Sequence, residues 1–430
     1  MTIPSRVSST DSGFWFEKFL PLLVLLQSGT LLGSLLLAAY SDARPTEHIS
    51  FYVDDGWCDP SQQGVGNHCF GDFYFPKVLM DEVSILENTR GIPHPYFPST
   101  TLFHRAFEIF SGGRNGLFVF LSVLAIAGII PAFVASHGRD WRDKSAAVLG
   151  LGILSLPFLI SIDRGNSVIV GAGFASLAIL FARARVARRF EIFVILAALI
   201  RPQYLLLAFL TPRERVSSSV SRVWGAFLAI QSIAFGLSPG YSLGDWTTMI
   251  RKLRLFSASS PVERPYVVNL YFGRSMYRVA EVFGTEQGVA RFFSDSFIPS
   301  VIVAAIGLAA CALAVRLRTQ QFELCAILIL IFLMVGPAVG YGYYLVNAVL
   351  AAVVLMTGRA ESVMTSGLLK WCVVGALFLS LVPFGWFYDE SGMSVTVQLA
   401  GPSWLLVFVL ALGRGGALGL RQVSAESRGK

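Results

Sequence analysis

The chain has 430 residues, of which 54% are hydrophobic and only 14% charged, where a soluble domain carries roughly 25% charged residues. A soluble single domain is therefore excluded. The formal net charge of +7 lies in clusters between apolar blocks, which argues for a membrane and against nucleic acid as the partner.

In chain order, a short polar start (Met1 to Lys18) precedes the first apolar stretch, Leu20 to Ala39. That stretch is longer than a typical signal-peptide core, and the segment before it is long and of mixed charge, so it reads as a permanent helix. A polar loop follows, from about Tyr40 to Arg114. It holds Asp54-Asp55-Gly56-Trp57-Cys58-Asp59, then His68-Cys69-Phe70-Gly71-Asp72-Phe73-Tyr74, then Gly91-Ile92-Pro93-His94-Pro95-Tyr96-Phe97-Pro98. Within it, Phe73, Phe75, Val78, Leu79, Val83, Ile85 and Leu86 recur near helical spacing, which predicts an amphipathic helix at the membrane surface over Asp72 to Asn88. Thr101 to Phe110 reads as a second short helix.

The next apolar stretches are Leu117 to Ser136, Ala146 to Ile162 and Ser167 to Ala182, the last two joined only by Asp163-Arg164-Gly165-Asn166. Phe190 to Ile200 and Tyr204 to Leu210 are each too short to span, and Arg201-Pro202-Gln203 separates them. Both outer flanks are basic, so the pair reads as a hairpin of half-length helices broken at Arg201. The alternative is one long span kinked at Pro202. Irregular backbone at membrane depth is tolerated where it lines protein or water. Val223 to Leu237 follows, then a second long loop, about 238–300, with Trp246, Arg251, Lys252, Arg254 and Arg264. Val301 to Leu317, Cys325 to Val335, Tyr344 to Thr357, Cys372 to Pro383 and Trp404 to Leu412 close the chain, interrupted at Gly340-Tyr341-Gly342-Tyr343-Tyr344.

A span needs about 20 apolar residues, so the flanks complete the shorter stretches and the count is about ten or eleven spans. The expectation is an all-α, polytopic membrane protein forming one integral-membrane catalytic domain over 1–430. Its basic clusters, from Arg139, Arg142 and Lys144 to Arg414 and Arg421, fall on one side of the alternation. The positive-inside rule makes that side the cytoplasm of a cytoplasmic (inner) membrane, with the loops at 40–115 and 238–300 outside. Arg251, Lys252, Arg254 and Arg264 break the pattern, in the loop the alternation places on the other side.

Of the five cysteines, Cys311, Cys325 and Cys372 fall in apolar stretches and read as core residues. Cys58 and Cys69 lie in the outer loop, where thiols oxidise, and are expected to pair. Zinc on Cys58, His68 and Cys69 would lack a fourth ligand and a standard spacing, so no metal is expected. There is no P-loop, no dinucleotide glycine fingerprint and no His-Glu-x-x-His.

Acids in one outer loop and cations in the other suit sugar transfer from a lipid-phosphate donor. An acid would deprotonate the acceptor hydroxyl. Arg side chains would hold the departing phosphate by bidentate contacts. The donor-phosphate candidates are Arg164, Asn166, Arg201, Lys252, Arg254 and Arg264. His68, Tyr74, His94, Tyr96, His104, Trp246 and Tyr341 are candidate substrate contacts; as alternatives, the histidines read as hydrogen-bonded loop residues and the aromatics as an interface belt.

The run Asp72-Phe73-Tyr74-Phe75, followed about twenty residues later by Pro95-Tyr96-Phe97-Pro98, resembles glycosyltransferase family 87. Asp163-Arg164-Gly165-Asn166 and then Arg201-Pro202-Gln203-Tyr204 resemble that family's later signatures in the same order. The resemblance covers roughly residues 20 to 240. It implies the C-type glycosyltransferase fold, a polyprenyl-phosphate-sugar donor as co-substrate with no cofactor, and a glycolipid or polysaccharide acceptor in the cell envelope. Mannose is the expected sugar and arabinofuranose the alternative. The position that matches the family's base is Asp72, which could instead cap the helix after it. The chain departs from the family in having Arg201 where lysine is usual and in an extra insert, Asp54 to Cys69, which supplies Asp54, Asp55 and Asp59 as rival bases, Asp55 first. A transporter or lipid flippase, or a non-catalytic assembly subunit, are the readings of another class.

Peptides carrying Cys58 and Cys69 are expected to remain linked in non-reducing mass spectrometry of protein from the native membrane. Two free thiols would refute the pairing.

Overall fold

The computed structural model describes residues 13–40, 73, 97–111, 114–211, 215–237, 272–289, 305–312, 322–336, 342–358, 367–383 and 395–428. Every element there is helical and none is a strand. The Cys58 and Cys69 pair, the Asp72 to Asn88 helix beyond Phe73, and residues 238–271 lie outside the described residues.

A π-helical turn, Phe14–Phe19, leads into α1 (Leu20–Tyr40). Then come α2 (Pro98–Ser111), α3 (Arg114–Ala135), α4 (Trp141–Ala147) continued by a π-helical turn at Val148–Ile153, α5 (Leu156–Arg164), α6 (Val168–Arg183) and α7 (Ala187–Ile200). A 3-10 segment, Pro202–Leu210, precedes α8 (Val216–Leu237). The chain continues with α9 (Phe272–Val282), α10 (Phe322–Val335), a 3-10 turn at Gly342–Leu345, α11 (Val346–Met356), α12 (Gly367–Leu381) and α13 (Val395–Arg428). The short helix expected at Thr101 is α2, started three residues earlier with Pro98 in its first turn, where a missing N–H costs nothing. Helix α9 lies within the second long loop of the sequence reading and packs on α13.

The protein is an all-α membrane protein. Among the described residues, three helical stretches, Phe14–Leu36, Asn115–Ala135 and Val216–Leu237, are long and apolar enough to cross a membrane, and the pair α4–α5, bent by 49°, would make a fourth. Their outer faces expose large apolar side chains, among them Leu25, Phe118, Ile126 and Ile233, which only a lipid environment accommodates in such number. The expected ten or eleven spans draw in part on residues outside the described ones, and four of the described apolar helices are shorter. Helices α6, α10, α11 and α12 have 16, 14, 11 and 15 residues, or about 17–24 Å at 1.5 Å per residue, against about 30 Å of hydrocarbon. Helices α10 and α11 are apolar on every side and buried along nearly their whole length by neighbouring helices.

The hairpin reading of Arg201 agrees with the helix directions. Arg222 near the start of α8 donates from Nε to Glu191 near the start of α7 at 3.1 Å. At the other end, Ser99 links Leu199 to Gln231: its hydroxyl donates to the Leu199 carbonyl at 2.5 Å and accepts from Gln231 Nε2 at 2.6 Å. Helices α7 and α8 are thus parallel, so the 3-10 segment between them must run back. Two ends follow. Helices α3 and α6 also share a direction, because His104 touches Phe120 of α3 at 5.0 Å and Ser167 at the head of α6 at 3.2 Å. Their tails, at Ala135 and Arg183, meet the end where Arg139 sits 4.5 Å over Phe16 and Lys370 sits 3.5 Å over Phe14. The described basic clusters gather at this arginine end.

Small residues allow the close approach of the central helices. A Cβ on Gly173 would stand 2.9 Å from the Ala127 carbonyl, and one on Gly171 3.0 Å from the Tyr204 ring. Gln27 of α1, fully buried, donates to the Gly150 carbonyl at 2.8 Å and to the Leu381 carbonyl at 3.0 Å. It thereby satisfies carbonyls where the π-helical turn and the end of α12 have left them. Cys311 and Cys325 are buried free thiols, as expected, and Cys372 is half-buried.

Gly173→Ala is expected to lower stability by about 1–3 kcal/mol, the usual cost of overpacking, read as a fall in the thermal midpoint in detergent. Gly225→Ala on α8, with open space around it, is the control and should not lower it.

Candidate functional site

The end opposite the arginines holds a buried polar cluster. Helix α5 stops at Arg164 because Gly165 takes a left-handed conformation, φ 64°, which glycine adopts without penalty. The chain then turns through Asn166 and Ser167 into α6. Asn166 Oδ1 accepts from the Val168 N–H at 2.9 Å, satisfying one of the orphan donors at the start of α6. The same oxygen accepts from Arg201 Nη2 at 2.9 Å. Arg164, Asn166 and Arg201 are all buried, each exposed by 9% or less. Two segments that the sequence singled out separately, 35 residues apart, thus share one hydrogen bond.

Arg201 occupies an extended position, φ −141° and ψ 103°, between α7 and the 3-10 segment. Proline after it disfavours the helical conformation there and removes a donor to the preceding turn. The carbonyls left open at the end of α7 are closed from outside: the Thr100 hydroxyl donates to Ile200 at 2.9 Å and Ser99 to Leu199. Beyond the turn, Tyr204 donates its hydroxyl to Asn347 Oδ1 of α11 at 3.1 Å, and the Arg201 guanidinium lies 5.9 Å from the centre of the Tyr344 ring. A cation over an aromatic face is an electrostatic contact. The C-terminal helices therefore complete the surroundings of Arg201.

His104 lies beside this cluster. Its ring packs near Phe73 at 6.3 Å, Phe103 at 5.9 Å and Phe120 at 5.0 Å, and Nε2 is 3.2 Å from Ser167 Oγ. It is buried. Phe73, the residue after Asp72 in the sequence, is also buried, with its ring 4.8 Å from Phe120.

Of the candidates named from the sequence, the structure brings Arg164, Asn166, Arg201 and His104 to one end of the bundle. Asp55, Asp72, His68, Tyr74, His94, Tyr96, Trp246, Lys252, Arg254, Arg264 and Tyr341 lie outside the described residues. The sequence reading did not single out Ser99, Thr100, Ser167, Gln231 or Asn347, and it quoted Tyr204 only as the end of the Arg201-Pro202-Gln203-Tyr204 motif. Buried polar residues in apolar stretches were the available signal for Gln231 and Asn347. No group of three or more His, Cys, Asp or Glu that could hold a metal ion occurs among the described residues. Chemically, the cluster offers a positive charge with directional donors in a low-dielectric setting, which suits an anion.

No family model, no curated protein and no solved structure matches the chain.

Asn166→Ala is expected to cost about 1.5–3 kcal/mol, the range for a hydrogen bond to a charged group. Tyr204→Phe should cost about 1 kcal/mol, a neutral bond. Thermal unfolding in detergent would rank the two, and a neutral Asn166→Ala would refute the tie to Arg201.

Proposed function

We propose that the protein is an integral-membrane glycosyltransferase that takes a sugar from a polyprenyl-phosphate donor and adds it to a cell-envelope glycolipid or polysaccharide. Mannose is the first choice of sugar and arabinofuranose the second. The observation that carries the reading is the buried hydrogen bond between Arg201 and Asn166. It unites the two motif segments at the end of the bundle opposite the basic clusters. A C-type glycosyltransferase architecture, with the site facing outside the cytoplasmic membrane, goes with this reading.

In the reaction, the Asp72 carboxylate takes the proton of the acceptor hydroxyl. The oxygen attacks the anomeric carbon from the face opposite the phosphate, and the bond from that carbon to the phosphate oxygen breaks. Both electrons leave with polyprenyl phosphate, so negative charge grows on the phosphate and the anomeric centre is inverted. Arg201 and Arg164 are the cations placed to meet that charge. Asn166 fixes the Arg201 guanidinium before substrate arrives, and Phe73, packed beside His104, is the near neighbour of Asp72 in sequence. Lys252, Arg254 and Arg264 would add charge from the second loop, and Asp55 is the rival base.

One observation favours a transporter instead. Two interrupted elements occur here, α4–α5 with its 49° bend and α7 with the 3-10 segment, and the turn after α5 meets the break at Arg201; broken helices at depth are common at transport sites. Purified protein separates the readings. Transfer of radiolabelled sugar from a lipid-phosphate donor to an acceptor supports the enzyme; uptake into proteoliposomes without transfer supports the transporter.

Asp72→Asn is expected to lower transfer by about 10²–10⁴-fold, the usual worth of a general base, with the thermal midpoint kept; if Asp55→Asn does this instead, Asp55 is the base. Arg201→Ala should weaken donor binding by roughly thirty-fold or more, from about 2–5 kcal/mol for a charge-assisted contact. Arg201→Lys should recover part of that loss, since lysine keeps the charge without the fork. Donor affinity and transfer kinetics measure both.

A further inference from the structure

At the arginine end, the turn from α6 to α7 and the start of α8 bring together Arg183, Arg185, Arg188, Arg189, Arg215 and Arg222. Arg183 pairs with Glu323 and Arg222 with Glu191. Arg189 lies 5.5 Å from the centre of the Phe181 ring, and the Arg215 charge also acts on Glu191. Arg185, Arg188 and Arg215 are exposed.

Local folding does not explain these cations. Arg188 and Arg189 fall in the first turn of α7, where the helix dipole disfavours positive charge. Arg185 holds a left-handed backbone, φ 57°, a conformation uncommon for any residue but glycine, asparagine or aspartate. Like charges gathered at one end of the bundle repel one another, and an anion from outside the chain would relieve that repulsion.

The surroundings choose the kind of anion. One helical turn along α7 from Arg188 stands Ile192, 53% exposed, and on α8 beyond Arg222 stand Trp224 and Leu228, 40% and 52% exposed. Exposed apolar surface thus follows positive charge on two adjacent parallel helices, one turn after Arg188 on α7 and nine residues after Arg215 on α8. That order, charge and then hydrocarbon, matches a phospholipid. An acidic protein segment would match the charges but leave Ile192, Trp224 and Leu228 uncovered.

We infer that the α6–α7 turn and the start of α8 form a binding site for an anionic phospholipid, with Arg185, Arg188 and Arg215 on its headgroup and Ile192, Trp224 and Leu228 along its chains. The site stands apart from the Asn166–Arg201 cluster and does not depend on sugar transfer. Basic residues at the ends of adjacent helices attract acidic headgroups, each contributing about a fivefold gain in affinity near the surface.

Native mass spectrometry of the full chain in detergent, titrated with phosphatidylglycerol or phosphatidylcholine, tests this. Wild type is expected to bind phosphatidylglycerol at least about tenfold more tightly, with the preference falling as salt rises. Replacing all three with glutamine (Arg185→Gln, Arg188→Gln, Arg215→Gln) should cost roughly a hundredfold, while lysine at the same three positions should keep most of the binding. Equal affinity of wild type for the two lipids overturns the proposal. So does an unchanged affinity in the glutamine variant, or displacement of the lipid by inorganic phosphate at equal concentration, which would mark a free-anion site. Should the glutamine variant fail to fold, the lipid preference and salt dependence of wild type decide alone.

Discussion

A helix that ends inside an apolar slab leaves carbonyls and N–H groups that water cannot reach, and each must find a partner in the protein. The turn at Arg201 is built around this demand. Ser99 and Thr100 supply hydroxyls to Leu199 and Ile200, Gln231 holds Ser99 in place, and Asn166 closes the start of α6 while accepting from Arg201. The partners come from α2, α6 and α8. Because the demand can be met only where these elements meet, it fixes how α7 and α8 lie, and with them the central packing. The same rule operates at Gln27, whose single amide reaches two open carbonyls.

Once the helix ends are closed, the cluster around Arg201 becomes a place where a charge can stay buried. Its contacts include an amide oxygen and an aromatic face. Both stabilise a guanidinium without themselves carrying a full opposite charge. The arginine end uses the opposite device in part: Arg183 and Arg222 are matched by Glu323 and Glu191.

Much of the fold was legible as composition and apolar runs. The helical class, the membrane setting, the break at Arg201 and the tight turn at Gly165 followed from run length, proline and glycine placement, and basic flanks. Burial against protein was not legible. Runs such as Cys325 to Val335 read as cores of spans facing lipid, yet α10 and α11, formed from such runs, are buried among other helices. An apolar side chain reads the same whether it meets lipid or protein. The pairing of Asn166 with Arg201 was suggested only by motif order, while the parts played by Ser99, Gln231, Tyr204 and Asn347 depend on contacts over 132 and 143 positions, which no local pattern encodes.

The link from Ser99 to Leu199 and Gln231 has a bearing on how the chain comes to be assembled. The three residues belong to α2, α7 and α8 and arise in that order during synthesis. When α7 first forms, Ser99 is already present but the amide that orients it does not yet exist. The hairpin, each arm too short to be held by lipid alone, cannot be finished until α8 has followed it into place. Helix α8, itself long enough to cross, is then both a span and the latch of its predecessor. A ribosome halted between Leu210 and Gln231 would leave the Arg201 turn open, and proteolysis or thiol labelling of such stalled chains would report that interval as a distinct state.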